Sequence, residues 1–263
     1  MNHPSRREFL ARSSALAVGS AIASARVQPA NGPVGNLASP GPGDTHRGPV
    51  VIASGNGLRS VNRAMELMKQ GYDPADCIVQ GVTIIEDDPN DMSVGLGGLP
   101  NAEGVVELDA SVMYGPTHKS GAVASVRGIK NVAAVALLVL RRTDHALLVG
   151  EGAARFAKLH GFPEENLLTE AAREQWVKWK ENLGKDAWLN DDERDELVGK
   201  PFQNERHAAV EGMHQMYTYG TVHCSAVTRK GDIASCTTTS GLSWKIPGRV
   251  GDSPLILSLI HIS

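Results

Sequence analysis

The chain has 263 residues, 41% of which are apolar, and a formal net charge of −3 at pH 7. This length and apolar content allow one sizeable hydrophobic core, in one or two domains. Lysine and arginine are scattered along the chain, so we expect neither the basic surface that a phosphate backbone requires nor a nucleic-acid partner.

The N-terminal residues have the order of charged and apolar segments found in an export signal. Residues 5–10 (SRREFL) contain a twin arginine, residues 15–22 are weakly apolar, and Ala23-Ser24-Ala25 offers a small-residue cleavage site. This order predicts a twin-arginine signal peptide over residues 1–25 and a periplasmic or secreted protein; a basic amphipathic helix is the alternative. The apolar stretch is too short to span a bilayer, so no membrane partner is expected once the signal is removed. Residues 26–47, rich in Pro, Gly, Ala and Ser, predict a disordered linker.

Apolar periodicity predicts alternating strands and helices in the next part of the chain. We expect strands at 50–54, 104–113, 121–126 and 146–149, and helices at 59–69, 75–85, 131–141 and 150–160. Residues 169–219 are more charged and hold three of the four tryptophans (Trp176, Trp179 and Trp188), which predicts one packed helix followed by a long irregular connection.

Several polar clusters in the sequence invite a metal or phosphate interpretation, and we reject it for each. The carboxylates Glu86, Asp87, Asp88 and Asp91 fit no EF-hand spacing and predict a solvated turn. Gly97-Gly98 predicts a structural turn, because no Lys-Ser/Thr pair follows it. The histidines His207, His214 and His223 make no zinc pattern and predict surface or packing positions. We therefore expect no metal and no cofactor.

The three cysteines are expected to be small core residues. Cys77, Cys224 and Cys236 fit neither a disulfide framework nor a zinc spacing. Pairing of Cys224 with Cys236 remains an alternative, because both are expected on neighbouring strands.

The last part of the chain predicts a β-hairpin. Residues 221–228 and 232–240 alternate between apolar and polar side chains and are joined at Lys230-Gly231. A hairpin preceded by helices favours an α+β layered domain over a doubly wound parallel sheet.

The step Gly220-Thr221 at the start of this hairpin suits nucleophilic catalysis. A threonine hydroxyl is a weak nucleophile, but in a threonine at a chain terminus the α-amine, with a pKa of about 8, can act as its base. Glycine at 220 suits a strained backbone ahead of such a threonine, because it has no Cβ. On its own, however, a Gly-Thr step is more typical of an ordinary strand start.

The residues that follow the Gly220-Thr221 step, and their spacing, favour a catalytic role for it. Thr239, Arg249 and Asp252 follow in the run TVHCSAVTRKGDIASCTTTSGLSWKIPGRVGDSP, which begins at Thr221. This run resembles the start of the catalytic subunit of the glycosylasparaginase, or asparaginase-2, family of N-terminal nucleophile hydrolases. The resemblance extends over nearly all of residues 48–256.

The resemblance implies a fold and an assembly. The expected fold is α+β, a four-layer αββα sandwich. Self-cleavage between Gly220 and Thr221 would give an α-subunit of residues 48–220 and a β-subunit whose start is residues 221–256. The implied product is an αβ heterodimer, with a dimer of heterodimers as a further option.

The resemblance also implies roles for individual residues. Thr221 would be the nucleophile, Thr239 would hydrogen-bond to it, Arg249 would hold the substrate α-carboxylate and Asp252 the α-ammonium. The implied reaction is cleavage of the side-chain amide of asparagine or of N4-(β-N-acetylglucosaminyl)-asparagine. An isoaspartyl peptidase of the same family, and a non-catalytic periplasmic module that binds amino acids, are the alternatives.

The sequence departs from the family at three places. Gly55 stands where the glycosylasparaginase prototypes carry a tryptophan. Gly220 stands where those prototypes carry aspartate, and in having glycine there the chain resembles the plant-type asparaginases. The Thr-Gly pair of the family's oxyanion hole would lie beyond residue 256. Residues 257–263 (LSLIHIS) read as a cloning or assembly scar, so we expect this polypeptide to be truncated and inactive by itself.

Overall fold

The computed structural model describes residues 48–181 and 220–256. The predicted signal peptide, linker and C-terminal scar lie outside the described residues. So do Trp188, His207 and His214, together with most of the predicted irregular connection.

The described residues form six strands and five α-helices. The strands are β1 (Val50–Ala53), β2 (Leu108–Tyr114), β3 (Lys119–Val126), β4 (Leu147–Val149), β5 (Thr221–Val227) and β6 (Ile233–Thr239). The helices are α1 (Leu58–Lys69), α2 (Pro74–Glu86), α3 (Val132–Arg142), α4 (Gly150–Leu159) and α5 (Glu170–Glu181). Short 3₁₀ turns lie at Gly55–Gly57 and Gly115–Thr117. The predicted mixture of helices and strands is confirmed, and none of these helices has both the length and the apolar character needed to cross a bilayer.

The strand predicted from residue 104 was wrong in its start, because β2 begins at Leu108. Asn101 explains the difference: its Oδ1 accepts hydrogen bonds from the backbone N–H groups of Glu103 and Val105, at 2.9 and 3.0 Å. Gly104 between them has a positive φ of 81°. A side chain that captures backbone donors in this way takes the segment out of the strand ladder.

All six strands join one sheet in the order β1-β5-β6-β2-β3-β4. Neighbouring strands are antiparallel except for β3 and β4, which are parallel. The predicted hairpin is confirmed as β5 and β6, with Gly231 at a φ of 87° in its turn. The hairpin therefore lies between β1 and β2, two strands that come from much earlier in the chain.

The core lies between the sheet and the helices α2 and α3. In β5, Val222, Cys224 and Ala226 are buried and alternate with half-buried residues, as expected for a strand with one face in the core. Cys224 faces Cys236 across the hairpin, yet both thiols and that of Cys77 are free and buried. Burial raises the pKa of the Cys224 thiol to about 12, in keeping with an inert core residue.

A second, smaller cluster connects α5 to the segment that follows β6. The rings of Trp179 and Trp244 stack with their centroids 5.3 Å apart. Trp176 Nε1 donates to the carbonyl of Ala102 at 3.3 Å. The helix predicted at the start of the charged segment is therefore present and packed, and it supports the loop that carries Arg249.

Candidate active site

Thr221 and Thr239 face each other at the open end of the hairpin. They are register partners as the first residue of β5 and the last of β6. Thr221 Oγ1 donates to Thr239 Oγ1 at 3.2 Å, and Thr239 Oγ1 donates to the carbonyl oxygen of Gly220 at 2.9 Å. The backbone N–H of Gly241 donates to the same Thr239 hydroxyl at 2.9 Å. With one hydrogen bond donated and two accepted, this hydroxyl is saturated and has a fixed orientation.

The end of β1 forms a second wall beside Thr221. Ser54 Oγ lies 2.7 Å from Asn56 Oδ1 and 3.4 Å from the carbonyl oxygen of Thr221. It also accepts the backbone N–H of His223 at 3.1 Å. Gly55 lies between Ser54 and Asn56 in the 3₁₀ turn and adds no side chain to this wall.

Arg249 lies on the loop after β6, close to the turn that contacts Thr239. A Cβ built on Gly241 would be 3.6 Å from Arg249 Nη1, and one built on Gly251 would be 2.8 Å from the same atom. The guanidinium thus lies over two glycines, and it is exposed to solvent. Asp252 follows on the same loop and is also exposed. Its neighbour Ser253 is anchored to β2, because Ser111 Oγ donates to the Ser253 carbonyl at 2.7 Å.

A buried carboxylate, Glu107, fixes the start of this loop. It is fully buried and accepts Arg127 Nη2 at 2.7 Å and the backbone N–H of Gly248 at 3.1 Å. Burial alone would raise the pKa of Glu107, but the hydrogen bonds from Arg127 and Gly248 outweigh it and hold that pKa below its ordinary value. The residue next to Arg249 is therefore attached to the residue that immediately precedes β2.

Lys245 and Asp109 complete the support of the loop. Lys245 Nζ donates to the carbonyls of Glu107 and Ser240, each at 3.1 Å. Burial lowers the pKa of Lys245 and raises that of Asp109, and each charge partly offsets the shift of the other. Asp109 is the register partner of Thr239 on β2. The buried charges therefore surround the turn at Gly241.

Comparison with known protein families identifies the family of this chain. A family model described as Asparaginase matches residues 52–258 of the chain. The chain belongs to this asparaginase family.

Curated relatives of the chain carry three different names. An N(4)-(beta-N-acetylglucosaminyl)-L-asparaginase of Elizabethkingia miricola is 32% identical over 252 residues, which are 95% of this chain and 64% of the relative. An isoaspartyl peptidase/L-asparaginase of Bos taurus is 34% identical, over 79% of this chain and 65% of the relative. A plant-type L-asparaginase of Pyrococcus horikoshii is 38% identical, over 69% of this chain and 54% of the relative. The chain thus spans between about half and two thirds of the length of these relatives.

The acidic turn of this asparaginase-family chain is not wholly solvated, and the prediction was wrong for Glu86. Glu86 is the last residue of α2 and is fully buried against β6 and the start of α3. Asp88, in contrast, is partly exposed and accepts Arg59 Nη2 at 2.6 Å. In residues 48–181 and 220–256, no group of three or more His, Cys, Asp or Glu side chains is placed to hold a metal ion.

His223 is a packing residue, as predicted. Its Nδ1 lies 2.8 Å from Thr237 Oγ1 and its Nε2 lies 2.7 Å from Ser225 Oγ. Burial lowers the pKa of His223, which favours the neutral ring between these two hydroxyls.

Sequence reasoning missed five residues that surround the candidate site. They are Ser54, Glu86, Glu107, Asp109 and Lys245. Glu107 and Asp109 carried a usable signal, since they interrupt an otherwise apolar strand pattern at 105–113. An acidic residue in such a strand predicts either an exposed face or a buried partner.

Proposed function

We propose that the complete protein is a self-cleaving amidohydrolase with Thr221 as its nucleophile. It hydrolyses the side-chain amide of asparagine or of N4-(β-N-acetylglucosaminyl)-asparagine. One observation carries this proposal: the Thr239 hydroxyl contacts both the Thr221 hydroxyl and the Gly220 carbonyl, across the bond that would be cut. An ordinary strand start does not need this arrangement.

Self-cleavage would use the contacts already present in the uncut chain. Thr221 Oγ attacks the Gly220 carbonyl carbon while Thr239 donates to the carbonyl oxygen, where negative charge develops. The C–N bond breaks, and the nitrogen takes up the proton that the Thr221 hydroxyl has lost, which makes it the free α-amine of Thr221. Water then hydrolyses the resulting ester, which leaves a carboxylate at Gly220 and restores the Thr221 hydroxyl.

Amide hydrolysis would then use the new chain terminus. The α-amine, with a pKa of about 8, accepts the proton of the Thr221 hydroxyl as the oxygen attacks the substrate amide carbon. The proton passes to the leaving nitrogen, so ammonia or the glycosylamine departs. Water hydrolyses the acyl-enzyme and releases aspartate. Arg249 would bind the substrate α-carboxylate through its fork of donors, and Asp252 the α-ammonium.

The proposal includes a second sheet and an αβ heterodimer. Helices α2 and α3 cover one face of the described sheet, while Thr221, His223 and Ser225 lie half-buried on the other. A further sheet on that face would give the αββα sandwich of four layers, and the greater length of the relatives leaves chain for it. The heterodimer would consist of residues 48–220 and the subunit that starts with residues 221–256, and two heterodimers could associate further. A twin-arginine signal at residues 1–25 would direct export of the protein.

The sheet order predicts that the two fragments stay together after cleavage. Strands β5 and β6 of the small fragment pair with β1 and β2 of the large one, so cutting before Thr221 leaves both ladders intact. We expect both fragments to elute together from a size-exclusion column and to separate in denaturant. Elution as two independent species would contradict this arrangement of strands.

The substrate is tested by comparing kcat/KM for asparagine, N4-(β-N-acetylglucosaminyl)-asparagine and a β-aspartyl dipeptide on the cleaved protein. We expect amide hydrolysis with loss of activity in Thr221→Ala. Preference for the dipeptide would favour the isoaspartyl peptidase, a candidate supported by the name of the bovine relative. An uncut chain that binds aspartate equally well with and without Thr221 would favour the non-catalytic binding module instead.

A further inference from the structure

Glu86 is a buried carboxyl group that amide hydrolysis does not use. It ends α2, is fully buried, and accepts Thr238 Oγ1 at 2.7 Å and the backbone N–H of Ala133 at 3.0 Å, both at Oε1. Its Oε2 has no hydrogen-bond partner among residues 48–181 and 220–256. Such a group costs free energy that an apolar side chain of similar volume would not, so packing alone does not account for it.

The polar and titratable groups facing Glu86 come from three elements. Asp87 follows it at the end of α2, Asn131 and the Ala133 N–H face it from the start of α3, and Thr238 and Cys236 face it from β6. Burial raises the pKa of Glu86 to about 7, and the hydrogen bonds from Thr238 and the Ala133 N–H only partly oppose this. The groups named above include no Lys or Arg, and Lys130, just before Asn131, pairs with Asp87 at 3.2 Å, so the neutral form of Glu86 fits the site better than the ionised form.

Thr238 connects this carboxyl group to the candidate site. Thr238 points into the core, while the next residue, Thr239, points to the opposite face and contacts Thr221 and Gly220. The Thr238 hydroxyl is held by Glu86, so the carboxyl group fixes the backbone one residue before Thr239. A shift of this backbone would move the Thr239 hydroxyl away from the Gly220 carbonyl.

The residue after Thr239 is held by the loop that Glu86 begins. Ser240 donates to the Ser93 carbonyl through its backbone N–H at 2.8 Å and through its Oγ at 2.9 Å. This loop is tied back to Glu86, whose carbonyl accepts the backbone N–H of Leu96 at 2.8 Å. Thr238 is thus bonded to Glu86 directly, whereas Ser240 is bonded to Ser93, in the loop whose Leu96 is bonded to the Glu86 main chain.

We propose that Glu86 is a positioning residue for self-cleavage, which acts through Thr238 to hold the Thr239 hydroxyl against the Gly220 carbonyl. This inference rests on the proposed function, because it concerns the same bond. Glu86 lies in the core and touches neither the bond that is cut nor the substrate, so it is not itself catalytic.

The contact with Thr238 is tested by the first-order rate of cleavage of the complete protein. We expect Thr238→Val, which removes the donor but keeps the shape, to slow cleavage about tenfold, as loss of one buried hydrogen bond would. Thr238→Ser keeps the donor and should remain within about threefold of the natural rate. Circular dichroism and Tm show whether each precursor is folded. A folded Thr238→Val precursor that cleaves at the natural rate would overturn the proposal.

The protonation of Glu86 supplies a readout that a purely structural role would not give. A carboxyl group whose pKa is raised in the folded state stabilises the fold more when it is protonated than when it is ionised. This contribution to stability is lost as the pH rises through about 7. Glu86→Gln keeps an acceptor for Thr238 and cannot ionise. Burial disfavours the ionised carboxylate whereas the Thr238 hydrogen bond favours it, so the ratio of the natural cleavage rate to that of Glu86→Gln should change between pH 6 and pH 8, roughly one unit on each side of that pKa.

The outcomes separate this inference from the proposed function. A rate ratio that does not change with pH would overturn the role of Glu86, even if Thr238→Val fails to fold. Cleavage before a residue other than Thr221 would overturn the proposed function itself. Cleavage before Thr221 with no effect of Thr238→Val would leave that function intact and remove only the positioning role.

Discussion

Thr221→Ala is expected to leave the protein as one uncut polypeptide with no measurable amidase activity. The substitution removes the hydroxyl that attacks Gly220 and also the nucleophile of the mature site. Loss of a catalytic nucleophile typically lowers kcat by a factor of about 10⁴ to 10⁶. The remaining contacts, between Thr239 and the Gly220 carbonyl, do not involve the missing hydroxyl, so the precursor should still fold.

Two variants control for this result. Thr117→Ala changes an exposed threonine in the 3₁₀ turn after β2 and should cleave at the natural rate. Thr221→Ser keeps a hydroxyl and an α-amine, so it should cleave and hydrolyse more slowly but detectably. If Thr221→Ala retained either cleavage or amidase activity, another residue would have to be the nucleophile.

Arg249→Ala is expected to raise KM for an amino-acid amide by a factor of about 10² to 10³, while self-cleavage proceeds normally. The reason is that the Arg249 guanidinium would pair with the substrate α-carboxylate, and loss of one partner of such a pair typically costs about 3 to 4 kcal/mol. The bond cut in self-cleavage needs no such pairing. Arg249→Lys should recover only part of the loss, since an ammonium lacks the planar fork of donors.

The measurement is steady-state kinetics on the cleaved variants together with the extent of cleavage on a denaturing gel. Arg63→Ala is the matched control, because Arg63 forms a solvent-exposed salt bridge with Glu66 on α1, a type of pair that contributes little to stability. An unchanged KM in Arg249→Ala would remove this residue from substrate binding. A block of self-cleavage in Arg249→Ala would instead show that Arg249 shapes the loop at Gly241.

The hairpin shows which parts of the site the sequence could predict. The alternation of residues 221–240 and the turn at Lys230-Gly231 predict that the two strand ends meet, but a turn centred between these two residues would pair Thr221 with Ser240. The observed turn has three residues between Thr228 and Asp232, whose backbones are hydrogen-bonded, and this pairs Thr221 with Thr239. Local pattern and turn chemistry therefore predict the hairpin, and the family resemblance selects Thr239 as the partner of Thr221. Arg249 could be linked to it only through the family resemblance, because the loop after β6 has no periodic pattern.

The supporting residues escaped prediction because their environments are tertiary. Glu86 ends a helix, where an acidic side chain normally lies in solvent, and it is buried only because β6 and the start of α3 close over it. Lys245 and the carbonyl of Glu107 are 138 residues apart in the chain and meet across the sheet. The prediction that β2 begins at residue 104 was wrong for a local reason, because the Asn101 side chain accepts hydrogen bonds from the backbone N–H groups of residues 103 and 105.

The most direct test is the N-terminal sequence of the small fragment from the complete, purified protein. Self-cleavage at the bond contacted by Thr239 would give a polypeptide that begins Thr-Val-His-Cys-Ser, from residue 221. A fragment with another first residue, or a fully active protein that remains a single chain, would contradict a terminal threonine nucleophile.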